Sequence, residues 1–199
     1  MEAVGTLEFD AQLMIRVRDG DETSFALLLE RHRSPVIHFL YRMIPNQAVA
    51  EELAQEVFLR VYKNRDGYEP SAKFTTWLYR IATNMALNKI RDTKRERGQL
   101  SLEDRGDDDR RELQIADAQR SVESEIVAAE RGREIRAAVE ALPANQRAAV
   151  LMHKYQGMDY SQIAKVIGCS ESALKSLLFR AYGSLRTKLA HFAPLRNTL

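Results

Sequence analysis

The chain has 199 residues, 45% of them hydrophobic, which is enough for one or two globular domains with their own cores. The single cysteine, Cys169, excludes an internal disulfide and a thiolate zinc site, and it fits a reducing compartment. No apolar run reaches the roughly 18 residues of a membrane span, and the N-terminus lacks the basic and apolar parts of a signal peptide. A cytoplasmic protein is expected.

The formal net charge of +2 hides an uneven distribution of charge along the chain. Residues 63–97 carry nine basic and four acidic groups, and residues 147–199 carry eight basic and two acidic groups. Between them, residues 98–130 carry four basic and ten acidic groups. Two cationic blocks of this kind suit a polyanion such as DNA, although solvated helix faces give the same pattern.

Apolar residues recur at helical spacing between residues 10 and 97, with no convincing alternating strand pattern. The first predicted helix covers about residues 8–18 and ends in a polar, glycine-containing stretch. The second begins at about Thr23, stops near Pro45 and is expected to kink at Pro35.

Two further helices complete the predicted N-terminal domain. Asn46 is a suitable N-cap for the third helix, which Gly67 and Pro70 are expected to end. The fourth covers about residues 76–97, and a hydrophobic staple is expected between Phe74 and Tyr79. Its inner face is predicted to be Leu78, Ile81, Ala82, Met85 and Leu87.

The following segment, residues 98–121, is polar and acidic and has no sustained apolar stripe, which predicts a flexible linker. Its Asp107–Asp109 run would have no fixed geometry for a metal ion, so no metal site is predicted. Helical spacing resumes at Val122. The fold class is therefore all-α, with two small helical domains, and the expected boundaries are 1–97, 98–121, 122–190 and a tail over 191–199.

The segment YSQIAKVIGCSESALKSLLFRA, residues 160–181, has the spacing of a helix-turn-helix. Ala164 is small enough for close approach of two helices, Gly168 permits a left-handed turn, and Ser170 can cap the second helix. The apolar residues between the helices would be Ile163, Ile167, Leu174 and Leu178. An ordinary helical hairpin could share some of these features, but the cap, the spacing and the basic flanks together favour DNA binding.

The second helix of such a unit places its N-terminal half in the major groove, where side chains meet base edges. Arg180 and the basic tail are expected to meet phosphates. The predicted DNA-binding residues of this unit are Ser170, Glu171, Ser172, Lys175, Ser176 and Arg180.

A second candidate site mixes aromatic and cationic residues around the loop that precedes the fourth helix. Its members are Tyr68, Lys73, Phe74, Thr75, Thr76, Trp77, Tyr79 and Arg80. Aromatic faces stack on unpaired bases with about 1–3 kcal/mol each, while cations follow the backbone. Asn84, Asn88 and Arg91 lie at helical spacing beyond it and could reach bases or phosphates. The alternative is that Trp77 and Tyr79 belong to the core.

Three segments in this order resemble the bacterial extracytoplasmic-function (ECF) sigma factors of the sigma-70 family. They are AEELAQEVFLRVYKN at 50–64, KFTTWLYRIATNMALNKIR at 73–91 and LPANQRAAVLMHKYQGMDYSQIAKVIGCS at 142–170. The resemblance covers about residues 20–190. It implies a factor that binds core RNA polymerase and directs transcription initiation, with one domain on the promoter's −10 element and the other on the −35 element.

The resemblance also implies roles for particular positions. Segment 50–64 resembles the polymerase-binding surface, with Glu51, Glu52, Gln55, Glu56 and Arg60 as its candidates; a solvated face is the alternative. Loop 66–76 resembles the element that captures a base flipped from the melted strand. Ala173 and Leu177 stand where many members carry Thr and Arg, so the −35 sequence does not follow by analogy. The resemblance further implies regulation by a separate anti-sigma factor.

Other functional classes explain less of the sequence. A plain helix-turn-helix regulator would account for residues 160–188 but not for the aromatic and cationic loop. The histidines His32, His38, His153 and His191 are scattered and form no catalytic motif, so no enzymatic activity and no cofactor are expected. The basic C-terminal block disfavours a scaffold that binds only proteins.

Overall fold

The computed structural model describes residues 8–70, 72–99 and 122–192, and every regular element in these ranges is helical. The N-terminal unit contains helices α1 (Phe9–Arg18), α2 (Glu22–Met43), α3 (Gln47–Lys63) and α4 (Phe74–Gln99), with a short 3-10 turn at Arg65–Gly67. The C-terminal unit contains α5 (Val122–Glu140), α6 (Ala144–Tyr155), α7 (Tyr160–Ile167), α8 (Glu171–Lys188) and a 3-10 turn at Ala190–Phe192. The predicted all-α class is confirmed. The predicted linker lies outside the described residues except for its first two positions, which end α4.

Side chains cap the N-termini of two helices in the N-terminal unit, α2 and α3. The Asp21 carboxylate accepts hydrogen bonds from the backbone N–H groups of Thr23 and Ser24 at 2.9 and 3.3 Å. The Asn46 side chain accepts from the Val49 N–H at 3.0 Å, as predicted for an N-cap. These bonds satisfy N–H groups that have no partner within the helix, and so they fix where α2 and α3 begin.

Two local predictions around α3 and α4 are wrong. Helix α3 ends at Lys63, ahead of the glycine that was expected to stop it, because the Asn64 amide turns back to the Arg60 carbonyl at 2.8 Å. Phe74 is the first residue of α4 rather than the residue before its cap. It therefore cannot serve as the outer half of a staple with Tyr79.

The core of the N-terminal unit is formed where α2, α3 and α4 pack together, with α1 lying against α2 and α4. Its fully buried side chains include Met14, Leu28, Phe39, Leu40, Met43, Phe74 and Leu78. On the predicted inner face of α4, Leu78, Ala82 and Met85 are buried, whereas Ile81 and Leu87 are partly buried against the core. The helical spacing thus identified the correct face of α4.

The helix-turn-helix has the predicted local geometry. Gly168 ends α7 with a left-handed φ of +77°, and Ser170 accepts a hydrogen bond from the Ala173 N–H at 3.2 Å to begin α8. Asp159 and Gln162 form a reciprocal capping box at the start of α7. Between the helices, Ile163, Leu174 and Leu178 are buried and Ile167 is partly buried.

The two units are in contact. Tyr79 on α4 donates its hydroxyl to Gln156 Oε1 at 2.5 Å, and burial raises the pKa of Tyr79, which keeps this donor protonated. Arg147 on α6 donates to the Met43 carbonyl at the end of α2, at 2.6 Å. The guanidinium of Arg42 lies 4.2 Å from the centre of the Tyr155 ring. These contacts fix α6 against α2 and α4, and α7 also packs against α4.

Candidate nucleic-acid and polymerase interfaces

The N-terminal half of α8 presents a polar face to solvent. Every residue predicted to meet DNA there is exposed: Ser170, Glu171, Ser172, Lys175, Ser176 and Arg180. Their exposure follows from the register of the helix, because Leu174, Leu178 and Ala181 take the buried face. The Arg180 Nε lies 3.3 Å from the Ser176 carbonyl, and Arg180 has no ion pair with a described acidic residue. The N-terminal half of α8 therefore presents a row of polar and charged side chains to solvent.

An exposed aromatic residue lies beside this face and was not predicted from the sequence. Phe179 is 81% exposed and lines an open groove on α8 together with Lys175, Tyr182 and Arg186. The signal was present in the sequence, since Phe179 follows Leu178 directly and therefore points away from the buried stripe. Hydrophobicity alone would have placed it in the core.

The second candidate site combines exposed polar groups with packed aromatic ones. Its exposed members are Lys73, Arg80, Asn84, Asn88 and Arg91. Thr75 and Trp77 are partly buried, whereas Tyr68, Phe74 and Thr76 are 2%, 0% and 5% exposed. Tyr79, which the sequence analysis left open between DNA and core, is buried and packs against Phe39 with ring centroids 5.2 Å apart. Direct DNA contact by the three buried members stays a prediction, and it would require their exposure.

The aromatic side chains of this site form one connected cluster. The ring centroids of Tyr68 and Trp77 are 5.2 Å apart, and Phe74 lies 6.2 Å from each of them. The tilted and edge-on geometries are those that aromatic pairs prefer. Trp77 is therefore partly exposed while its ring packs against Tyr68 and Phe74.

Two hydroxyl groups of the same site lie buried and make no hydrogen bond among the described residues, namely Tyr68 Oη and Thr76 Oγ1. Burial, followed by the negative charges of Glu8 and Asp10, raises the pKa of Tyr68 to about 12, so its hydroxyl keeps its proton. A buried polar group without a partner costs about 1–3 kcal/mol.

The predicted polymerase-binding residues lie along the outer side of α3. Glu51, Glu52, Gln55 and Arg60 are exposed, and Glu56 is partly exposed. Arg60 Nε and Glu56 Oε1 form an ion pair at 2.9 Å one helical turn apart, a contact that contributes only about 0.3–0.5 kcal/mol at a surface. The carboxylate of Glu51 also accepts a hydrogen bond from the Gln47 amide.

Sequence reasoning missed an apolar groove of about 650 Å³ that runs beside these residues, between α2 and α3. Its lining includes Phe25, Leu29, Ile37, Phe58, Leu59 and Tyr62, with Glu51 and Gln55 at its edge. Leu59 is 51% exposed. The groove could not be read from either helix alone because each helix supplies one wall. An exposed apolar groove with a polar rim is typical of a protein-binding site.

No three His, Cys, Asp or Glu side chains come close enough to hold a metal ion within the ranges that the structure describes. Asp107–Asp109 lie outside those ranges. None of the described helices is both long and apolar enough to cross a membrane.

Comparison with known protein families assigns each unit separately. Residues 28–96 match the model of sigma-70 region 2, and residues 132–185 match the model of sigma-70 region 4. The first match covers most of α2, all of α3 and most of α4, and the second covers the helix-turn-helix with α6. The fold and the two matches thus define a two-unit protein that contains region 2 and region 4 of a sigma-70 factor.

Similar proteins extend the likeness over nearly the whole chain. The ECF RNA polymerase sigma factor SigE of Mycolicibacterium smegmatis is 32% identical over 95% of this chain and 69% of its own length. The RNA polymerase sigma factor CarQ of Myxococcus xanthus is 32% identical, over 88% of this chain and 95% of its own. The ECF sigma-E factor of Escherichia coli K12 is 30% identical, over 90% and 94%.

Two solved structures share the fold at 20% sequence identity. CnrH, solved in complex with the cytosolic domain of CnrY, superposes with a TM-score of 0.68 over 94% of this chain and all of that one. The sigma factor RpoE of Bartonella quintana, solved with the anti-sigma factor NepR, gives a TM-score of 0.66 over 83% and 96%.

The chain belongs to the sigma-70 family, in the group of ECF RNA polymerase sigma factors. It therefore directs transcription initiation by RNA polymerase at promoters. The resemblance drawn from three sequence segments is confirmed, and the sigma factor family is not known as enzymatic.

Proposed function

We propose that this sigma factor reads the −35 element as duplex DNA through α8 and holds melted −10 DNA at the aromatic cluster of Tyr68, Phe74 and Trp77, at the start of α4. The observation that carries the proposal is the exposed polar face of α8, from Ser170 to Arg180, on a turn whose backbone is fixed by Gly168. Side chains on such a helix can reach base edges in the major groove.

The −10 role rests on chemistry suited to unpaired bases. Trp77 is partly exposed above packed rings, and Lys73 and Arg80 place positive charge next to it. Stacking on an aromatic face and phosphate contacts can together offset the few kcal/mol that unstacking a base costs. Tyr68 and Phe74 support Trp77 from below. The protein would stabilise melted DNA in this way without any bond-making step of its own, so we propose no enzymatic activity.

The polymerase-binding surface is proposed to be α3 together with the groove between α2 and α3. Glu51, Gln55 and Leu59 lie on α3 and also line the groove. Burial of Leu59 and its apolar neighbours would contribute about 25 cal/mol per Å² of covered apolar surface. Acidic residues at the edge would select a basic partner surface. Because polymerase acts in the cytoplasm, we place the protein there.

Regulation by a separate anti-sigma factor is part of the proposal. The structural neighbours CnrH and RpoE were each solved in complex with a protein partner, and that of RpoE is an anti-sigma factor. Any partner that covers α3 and its groove would compete with polymerase for the same surface.

Run-off transcription with purified core RNA polymerase, with and without this protein, tests the proposal on promoter fragments from the host. Transcripts that depend on the protein and start a fixed distance below a shared two-part motif are expected. Sequence-specific duplex binding by the protein alone, with no transcripts, would instead favour a plain helix-turn-helix regulator.

A pair of variants tests the polymerase surface separately. Leu59→Asp should lower the affinity for core polymerase at least tenfold, because it places a charge in the apolar groove. Leu27→Asp is the matched control, since Leu27 is 41% exposed on α2 and does not line the groove. Equal affinities for the two variants would move the polymerase surface elsewhere.

A further inference from the structure

A buried carboxylate in α1 joins the N-terminal helix to α2. Asp10 is 6% exposed, and both of its oxygens are engaged. Oδ1 lies 2.9 Å from Arg31 Nε, and Oδ2 lies 2.9 Å from His32 Nε2. A carboxylate only accepts hydrogen bonds, so the His32 ring nitrogen is the donor and its ring orientation is fixed. Asp10 therefore determines where the imidazole points.

The imidazole points at the aromatic cluster of the proposed −10 site. The His32 and Phe74 ring centroids are 5.4 Å apart, with the planes tilted by 56°. Phe74 in turn touches both Tyr68 and Trp77. A continuous series of contacts thus leads from the Asp10 carboxylate through His32 and Phe74 to the partly exposed Trp77.

A second observation places α1 next to the same loop. Helix α1 packs against the Arg65–Gly67 turn and against α4, as well as against α2. The charges of Glu8 and Asp10 contribute to the raised pKa of Tyr68, after burial itself. The carboxylates of α1 therefore act on the loop electrostatically as well as through packed rings.

We propose that Asp10, acting through His32, is a positioning residue for the −10 site: it holds Phe74, and through it Trp77, in the arrangement that receives an unpaired base. This inference rests on the proposed function of the aromatic cluster. It extends the site to α1, which lies before residue 28, where the region 2 match begins. An ion pair that merely fastened α1 to α2 would leave base capture unaffected wherever the fold survived.

The test uses the complete chain in holoenzyme with core polymerase, on a promoter with 2-aminopurine in its −10 element. Asp10→Asn removes the charge at nearly constant volume, and Asp19→Asn, an exposed carboxylate that ends the same helix, is its control. Asp10→Asn should slow the fluorescence rise of promoter opening about fivefold to tenfold, a part of the stacking contribution of one base. Binding to a −35 duplex fragment should be unchanged, as should opening by Asp19→Asn.

A second variant separates positioning from simple fastening. His32→Gln can still donate a hydrogen bond to Asp10, but it removes the ring that supports Phe74. At a temperature where the variant is folded, positioning predicts slow opening with unchanged −35 binding, whereas fastening alone predicts normal opening. Wild-type opening by both Asp10→Asn and His32→Gln, or a parallel loss of −10 and −35 binding, would overturn the inference. If Trp77→Ala also opened promoters normally, the proposed −10 function itself would have failed.

Discussion

The two candidate DNA sites differ in how they are built. On α8 the polar residues stand exposed on a helix whose other face is core, so its reading surface is complete as folded. At the start of α4 the rings of Tyr68, Phe74 and Trp77 are packed on one another, and of these three only Trp77 reaches the surface in part, beside partly buried Thr75 and exposed Lys73. The difference matches the two forms of DNA, because duplex bases are read at their edges whereas unpaired bases stack on rings.

A consequence is that the two sites should respond differently to mutation. If the aromatic cluster captures a base as proposed, core packing and base capture are coupled at the start of α4, where Phe74 is fully buried and also packs against Trp77. On α8 they are separate, since the side chains that face solvent do not contribute to the core. Substitutions at matched positions in the two sites test this contrast.

The largest effect is expected from Phe74→Ala. Truncating this buried ring should lower the free energy of unfolding by about 3–5 kcal/mol and abolish promoter opening. Phe179→Ala removes the same side chain from a position that is 81% exposed, and it should change stability by less than about 0.5 kcal/mol. Chemical denaturation of the two variants makes the comparison, and similar losses would contradict the contrast.

Trp77→Ala should weaken promoter opening by about 1–3 kcal/mol, the stacking contribution of one base, while binding to closed duplex changes little. Lys73→Ala should follow the same pattern with a smaller loss, because it removes a phosphate contact rather than a stacking surface. Opening rates and closed-complex affinities measured on one promoter separate the two steps. Equal losses in both would remove the melting role from this loop.

Gly168→Ala should destabilise the helix-turn-helix by about 1–2 kcal/mol, since Gly168 has a φ of +77° that other residues adopt at a cost. The added Cβ would meet no atom within 4 Å, so the cost is in the backbone alone. Gly183→Ala, within α8 and equally unobstructed, should instead stabilise it by about 0.5–1 kcal/mol. Thermal melts give the two signs, and a shared sign would contradict the turn geometry.

The smallest effect is expected from single charges on α8. Lys175→Ala and Arg180→Ala should each lower the salt slope of −35 duplex binding by about one unit, with little change in stability. Arg18→Ala, an exposed cation at the end of α1, serves as the control. An unchanged slope in both α8 variants would place the phosphate contacts on another surface.

The sequence predicted best where local chemistry decides the structure. A left-handed glycine, a capping serine and an apolar stripe lie within sixteen residues in the helix-turn-helix, from Ile163 to Leu178, so its turn and the exposed face of α8 were both predicted. The Asn64 side chain marks where α3 ends, through its hydrogen bond to the Arg60 carbonyl. In a sequence, an asparagine is a weaker signal for the end of a helix than Gly67, three residues later. The burial of Tyr68 and Phe74 depends on helices distant in sequence, and an aromatic and cationic composition could not reveal it.

Contacts between distant segments were not predicted. Asp10 meets His32 across 22 residues, and Tyr79 meets Gln156 across 77. Neither pair belongs to a motif, and no periodicity within one helix specifies its partner on another. The groove between α2 and α3 was missed for the same reason, although the exposed polar residues along its edge were identified.

Transcription from a pre-melted promoter tests whether α8 reads duplex DNA while the aromatic cluster around Trp77 captures an unpaired base. Holoenzymes that contain the wild-type protein, Trp77→Ala or Lys175→Ala are compared on one promoter as intact duplex and with an unpaired bubble across its −10 element. If the two sites act as proposed, the bubble restores much of the Trp77→Ala activity, because the cost of melting is removed, and leaves the Lys175→Ala defect in place. Equal rescue of both variants, or rescue of Lys175→Ala alone, would contradict the division of duplex reading and base capture between α8 and the aromatic cluster at the start of α4.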